Sequence, residues 1–210
     1  MTPPGQVIVL NGAPRSGKSS IVAVIQDTFE GPWMNLGVDV HARHMTPTRL
    51  QPGVGLRPLA ERPEVTALLP RLYAALYDSI AAHSRQGLNV VVDVGHYGME
   101  PSSPGVLQDC AGRLLGLPVL MVGVLCSIEV IMQRRNAGQP GREGQYTTGA
   151  PDDPIPAPVR QWQDAVHRPG VYDLEVDTAV LSPTQCADLI RRRLATPAIG
   201  PTACERLATG

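Results

Sequence analysis

The sequence predicts an α/β fold, a five-stranded parallel sheet with helices on both faces. Two observations carry this. Five short runs rich in Val, Ile and Leu alternate with segments of helical spacing. Several of those runs are apolar throughout, as strands covered on both sides must be. A third observation says what the sheet is built around. The first run leads into Gly12-Ala13-Pro14-Arg15-Ser16-Gly17-Lys18-Ser19, which fits the phosphate-binding pattern G-x-x-x-x-G-K-[ST].

The elements follow in order. Gln6–Asn11 reads as a buried strand and Ser19–Phe29 as a helix stopped by Gly31-Pro32. Trp33–Val38 is a second strand, which puts Asp39 at its end. Residues 41–62 are rich in Pro and Gly without a period, and such long connections often form binding sites. Residues 64–86 carry an apolar helical face, with Pro70 either kinking the helix or starting it. Leu88–Asp93 is the clearest strand. Leu117–Cys126 and Val171–Val176 are the fourth and fifth. Ile128–Arg135, Val159–Val166 and Pro183–Leu194 read as helices. Residues 1–194 are expected to form one domain, with 136–158 as a lid or insertion and 195–210 as a loose tail.

Composition narrows the function classes. A net charge of −1 and a pI near 6.5 argue against a nucleic-acid or membrane-surface partner. Cys110, Cys126, Cys186 and Cys204 are far apart and match no disulfide or metal spacing, so reduced thiols in a cytoplasmic protein are expected. Residues 1–5 lack a basic segment, so no secretory leader is expected, and no apolar run is long enough to span a bilayer. Lys18 is the chain's one lysine among 18 Lys and Arg residues. Lysine survives where a compact ammonium has a phosphate to hold.

The chemistry-bearing residues follow from the motif. Gly12 through Ser20 cradle phosphates, with Lys18 on the β/γ-phosphates and Ser19 on Mg²⁺. The expected nucleotide is ATP. Asp93 ends the Val-rich strand and is either a second Mg²⁺ partner or the cap of the next turn. Asp39, on the same carboxyl edge, is either the base for an acceptor hydroxyl or a helix cap. His41, Met45 and His96 are acceptor-side candidates, with an ordinary surface role as the alternative for His96. Arg134, Arg135 and Arg142 flank the Gly/Pro segment as lid arginines or as a solvated helix end.

The chain resembles the chloramphenicol phosphotransferases. The likeness rests on Ile8-Val9-Leu10-Asn11-Gly12, Trp33 with Gly37-Val38-Asp39, and Val90-Val91-Val92-Asp93. It continues through Val122-Gly123-Val124-Leu125-Cys126 and the run from Val166-His167-Arg168 to Val176-Asp177-Thr178. The resemblance implies a P-loop kinase-like three-layer sandwich that phosphorylates a hydroxyl of an antibiotic or related natural product. It further implies Asp39 as base, Asp93 as the acidic Mg²⁺ residue, lid arginines at Arg135 and Arg142, and Asp177-Thr178 beside the adenine. Val94 stands where the family tends to have a second acidic residue. The alternatives are a primary-metabolite kinase of the same fold (shikimate, gluconate or nucleotide type), and a nucleotide-dependent regulatory binding protein. Arg43, Arg49, Arg57 and Arg62 are what an anionic acceptor would want.

Overall fold

A computed structural model describes residues 2–45, 47, 67–96, 105–138 and 146–209. Five strands form one parallel sheet: β1 (Val7–Asn11), β2 (Trp33–Asn35), β3 (Asn89–Val94), β4 (Val119–Leu125) and β5 (Leu174–Asp177), in the order β2-β3-β1-β4-β5. β1 lies between β3 and β4, so Asn11 at its end faces Val94 on one side and Gly123 on the other. The chain order reverses beside β1, and ligands of open α/β sheets bind in the crevice at such a switch.

Helices cover both faces. α1 (Lys18–Thr28) and α7 (Pro183–Leu194) pack over Ile8, Leu10, Val91 and Val122. α3 (Leu69–Arg85), α4 (Val106–Arg113) and α8 (Ala203–Thr209) cover Val7, Val9, Val90 and Val92. The alternation of β1 between the two clusters is the period of two that any strand imposes. A third cluster gathers Ala13 and Cys126 with α5 (Ile128–Asn136) and α6 (Ala157–Val166). Two helix starts are locally encoded. Ser127 caps α5 through the Val130 N–H, and Ser182 with Gln185 forms a reciprocal capping box on α7.

The expected architecture is present, and the differences have local causes. β2 stops at Asn35 rather than Val38, because Asn35 Oδ1 accepts the Gly37 N–H at 3.0 Å and turns the chain. α2 (Val38–His44) then starts, so Asp39 lies in a first helical turn and not at a strand end. Pro70 sits in the first turn of α3, so the helix begins there without a kink. α4 was not expected from the sequence. Its Cys110 and Ala111 are buried, and Leu114 just beyond it is also buried.

The loose-tail expectation is corrected for Ala203–Thr209, which forms α8 and buries Ala203, Cys204 and Leu207 in the core that also holds α4. Asp173 fastens this end. One carboxylate oxygen accepts the Met121 N–H at 2.9 Å and the other accepts the Ala203 N–H at 2.7 Å. Leu207 is 6% exposed, so Leu207→Ala is expected to cost about 2–4 kcal/mol. Urea denaturation measures this, and an unchanged midpoint would show that α8 contributes nothing to the core.

Candidate active site

The phosphate loop is shaped by close approach. A Cβ on Gly12 would lie 2.5 Å from the Val124 carbonyl oxygen and 2.9 Å from Ser16 Oγ. Only glycine fits there. Arg15 and Gly17 take left-handed conformations, φ 73° and 96°, which curl the loop into the start of α1. No side chain caps that helix, so its first N–H groups have no side-chain acceptor. Ser16 Oγ is buried with no hydrogen-bond partner among the described residues. Curled backbone, an uncapped helix start and an orphaned hydroxyl together fit an anion of phosphate type. Ala13 and Pro14 are buried within the loop, while Ser20 is exposed in the first turn of α1.

Lys18 is held inside this loop. Its Nζ donates to the carbonyls of Gly12 at 2.7 Å and Ala13 at 2.9 Å. Burial pulls its pKa below the usual lysine range, and the charges of Asp93 and then Asp39 oppose that fall. The three expected residues are thus electrostatically joined. Ser19 Oγ donates to Asp93 Oδ2 at 2.7 Å. A hydroxyl and a carboxylate at the phosphate site are oxygen donors of the kind Mg²⁺ takes, and Mg²⁺ needs few protein ligands when phosphates complete its shell. Gly37 leaves room for that carboxylate, because a Cβ there would fall 1.8 Å from Asp93 Oδ1.

On the acceptor side, Asp39 stands in the first turn of α2, where the helix dipole favours a carboxylate. His41, half-buried two residues further on, lines a small apolar cleft with Val38, Leu72, Tyr73 and Leu76. Burial lowers the His41 pKa, which favours a neutral ring. Met45 is 68% exposed just past α2. His96 is 3% exposed, bonded to the Tyr77 hydroxyl at 2.7 Å and lying against Tyr73. It is placed as a core ring and not on the cleft surface.

The arginines divide. Arg134 donates to the carbonyls of Arg15 (3.2 Å) and Thr178 (2.7 Å) and to Thr178 Oγ1 (3.2 Å). Thr178 in turn donates to the Ser16 carbonyl at 2.6 Å. Arg134 and Thr178 therefore staple the phosphate loop to the end of β5. Arg15 reaches the Arg134 and Gly138 carbonyls. Arg135 is 3% exposed and donates to the Thr147 carbonyl at 3.2 Å. The Tyr146 ring has the Arg15 and Arg135 guanidiniums at 5.3 and 5.5 Å from its centre. Asp177 Oδ1 accepts the Ala179 N–H at 2.8 Å and shapes the turn after β5. Arg142 lies outside the described residues, as do most of the 41–62 loop and 139–145 of the expected lid.

Sequence reasoning assigned no role to Asn11, Tyr172 or His167. Asn11 Nδ2 donates to the Val166 carbonyl and the Tyr172 hydroxyl, both at 2.8 Å, and Asn11 Oδ1 accepts the His96 N–H at 2.8 Å. His167 Nδ1 lies 2.9 Å from the Tyr172 hydroxyl. The available signal was an amide ending an apolar strand, since a buried polar side chain needs partners.

This sheet order, with the phosphate loop after β1 and a carboxylate at the end of β3, is that of the P-loop kinase fold. Residues 5–195 match the family described as "Chloramphenicol phosphotransferase-like protein", and the chain belongs to that family. None of the curated proteins matches it in sequence. Among solved structures, it is similar to a sugar kinase from Janibacter sp. HTCC2649, at 19% identity and TM-score 0.56 over 92% of this chain and 95% of that one. It is similar to the Mycobacterium tuberculosis APS kinase in complex with AMPPNP and APS, at 16% identity and TM-score 0.57 over 92% and 99%. It is also similar to the Deinococcus radiodurans tunicamycin resistance protein, at 16% identity and TM-score 0.56 over 96% and 100%. At these identities the likeness is one of fold.

His96 gives a pH prediction. Burial pushes its pKa down to about 4. A histidine kept neutral in the fold contributes fully above its unfolded value of about 6.5. That contribution is lost as pH falls from there to about 4, because the unfolded chain takes up the proton first. The expected loss is about 3 kcal/mol. Urea denaturation across that window, beside His96→Gln, tests it; parallel curves for the two proteins would assign the loss to another group.

Proposed function

We propose that the protein is an ATP- and Mg²⁺-dependent O-phosphotransferase. Its acceptor is a hydroxyl of an uncharged small molecule, an antibiotic or related natural product. The observation that carries this is the phosphate loop with Lys18 Nζ held by the Gly12 and Ala13 carbonyls, Ser19 on Asp93, and a second carboxylate, Asp39, in the first turn of α2. One carboxylate belongs to the nucleotide side and the other to the acceptor side. A switch protein has no use for the second.

The roles follow. Gly12 through Ser20 hold the β- and γ-phosphates through backbone N–H groups and Lys18. Ser19 and Asp93 would hold Mg²⁺, which when bound neutralises charge on the phosphates. Asp39 orients the acceptor hydroxyl and takes its proton. The hydroxyl oxygen forms a bond to the γ-phosphorus, the bond to the β–γ bridging oxygen breaks, and ADP leaves with that oxygen. Such transfers pass through a loose transition state, so positioning outweighs proton removal. Arg135 and Arg142 are assigned to the lid, where they steady the transferring group. Arg134 and Thr178 frame the nucleotide side by bracing the loop, and Asp177 shapes the turn next to them.

An uncharged acceptor is in keeping with the family match, and Val38, Asp39 and His41 of α2 are the acceptor-side candidates. Met45 extends the same side. The resistance protein among the similar folds is in keeping with an antibiotic acceptor. The test is mass spectrometry of hydroxyl-bearing antibiotics and of anionic alcohols, shikimate among them, after incubation with protein and ATP. A phosphoryl mass added to a neutral acceptor is expected; addition only to anionic ones would overturn the acceptor class. With that substrate, Asp39→Asn should lower kcat by about 10²- to 10⁴-fold while ATP still binds. Lys18→Arg should also fail, because a planar guanidinium does not fit where two carbonyls wrap a compact ammonium.

A further inference from the structure

The phosphate loop contains a turn that its own sequence disfavours. The Ser16 N–H donates to the Ala13 carbonyl at 3.1 Å, which closes a β-turn over Pro14 and Arg15. The ring of Pro14 fixes a negative φ, and Arg15 follows with φ 73°. A positive φ at the third position of such a turn belongs to glycine or asparagine. Among the described residues, Arg15 is the only one besides glycines with a positive φ. A side chain in that region crowds the backbone, so the turn needs support from outside. The turn also bears on Lys18, because the same Ala13 carbonyl accepts its Nζ at 2.9 Å.

The support comes from the last turn of α5. Arg134 Nη1 donates to the Arg15 carbonyl and to Thr178 Oγ1, both at 3.2 Å, and Nη2 donates to the Thr178 carbonyl at 2.7 Å. Thr178 Oγ1 donates in turn to the Ser16 carbonyl at 2.6 Å. Two successive carbonyls of the loop are therefore fixed by one guanidinium and the hydroxyl it holds. A peptide is planar, so fixing the Ser16 carbonyl also fixes the direction of the Gly17 N–H. Such N–H directions are what make a loop of this kind an anion site. The same two side chains border Gly17, the loop's other left-handed residue. A Cβ there would lie 3.5 Å from Arg134 Nη1 and 3.5 Å from Thr178 Cγ2. The Arg15 side chain returns the link, donating to the Arg134 and Gly138 carbonyls. The adjacent Arg135 donates elsewhere, to the Thr147 carbonyl.

We propose that Arg134 is a positioning residue of the nucleotide site, whose planar fork holds the Ala13–Ser16 turn in the left-handed form that Arg15 disfavours. It acts on the nucleotide only through that turn. The assignment rests on the nucleotide-binding reading of the phosphate loop. Without the fork, the turn relaxes in the free protein, and nucleotide must select the fraction of molecules that keep it formed.

The test compares two starting proteins, Arg15→Ala and Arg15→Gly. Both lose the Arg15 side-chain bonds, and they differ in how readily the backbone takes a positive φ. Calorimetric titration with AMPPNP gives the affinity, and the melting temperature is read beside it. Adding Arg134→Ala to the Arg15→Ala protein should weaken AMPPNP binding by about tenfold, the scale of one left-handed residue. Adding it to the Arg15→Gly protein should weaken binding by about twofold or less, because glycine keeps the turn unaided. A merely structural arginine would lower the melting temperature of both without that difference in affinity. Equal losses in the two proteins overturn the proposal and make Arg134 a direct ligand of the nucleotide. No loss in either also overturns it, since the turn then holds alone. Arg134→Lys repeats the comparison with the charge kept, and serves where Arg134→Ala does not fold. A point charge cannot span Arg15 and Thr178, so the lysine should give the same pattern, and full affinity in the Arg15→Ala protein would replace the brace with a charge effect. Failure of the wild-type protein to bind AMPPNP removes the nucleotide reading itself, whereas the other adverse outcomes remove the brace alone.

Discussion

Asn11 is a polar side chain at the end of a buried strand, and its three hydrogen bonds decide where the phosphate loop begins. They tie β1 to the chain leaving β3, to the last residue of α6 and to Tyr172. The next residue, Gly12, supplies one of the two carbonyls that hold Lys18. Asp93 belongs to β3, so the same amide that starts the loop also holds the strand carrying the carboxylate that Ser19 meets. A buried polar network of this kind is favourable only when every member is satisfied. Asn11 itself is satisfied, by two backbone groups and the Tyr172 hydroxyl.

Close backbone approach does the rest. Gly12 against Val124, Gly37 against Asp93 and Gly123 against Tyr172 each leave no room for a methyl group. The three contacts lie at the carboxyl ends of β1 and β4 and at the start of α2. They bring side chains from distant parts of the chain within hydrogen-bond range of one crevice. Burying Lys18 there is unfavourable by itself. Two carbonyls and two carboxylate fields offset that cost and hold the ammonium ready for an anion.

Much of this was legible in the sequence, because it is local. The apolar strand, the glycine loop and the following helix are contiguous, and their periods survive without tertiary context. The Ser182 cap and the Pro70 start could be read the same way. What could not be read depends on contacts far apart in sequence. β2 ends early because of one asparagine side chain, which moves Asp39 from a strand tip into a helix. His96 looks like a loop histidine until Tyr73 and Tyr77 close over it. α8 is too short to show a persuasive period, and it folds because α4 and Asp173 receive it. Asn11 and Tyr172 are 161 residues apart, and no spacing rule links them.

The four cysteines have a consequence of their own. All are free and buried, and they are spread over the three apolar clusters: Cys110 and Cys204 in one, Cys186 in the second, Cys126 in the third. Burial pushes the Cys110 thiol up, and the Cys204 thiol up to about 12. Thiolates, not thiols, react with alkylating reagents, so the closed fold shields its own sulfurs. Modification then proceeds through opening, and its rate at each sulfur measures how often that part of the interior is exposed. The native sequence thus carries built-in clocks on both faces of the sheet. They can report whether the half under α8 and the half under α7 breathe together or apart, without a single engineered label.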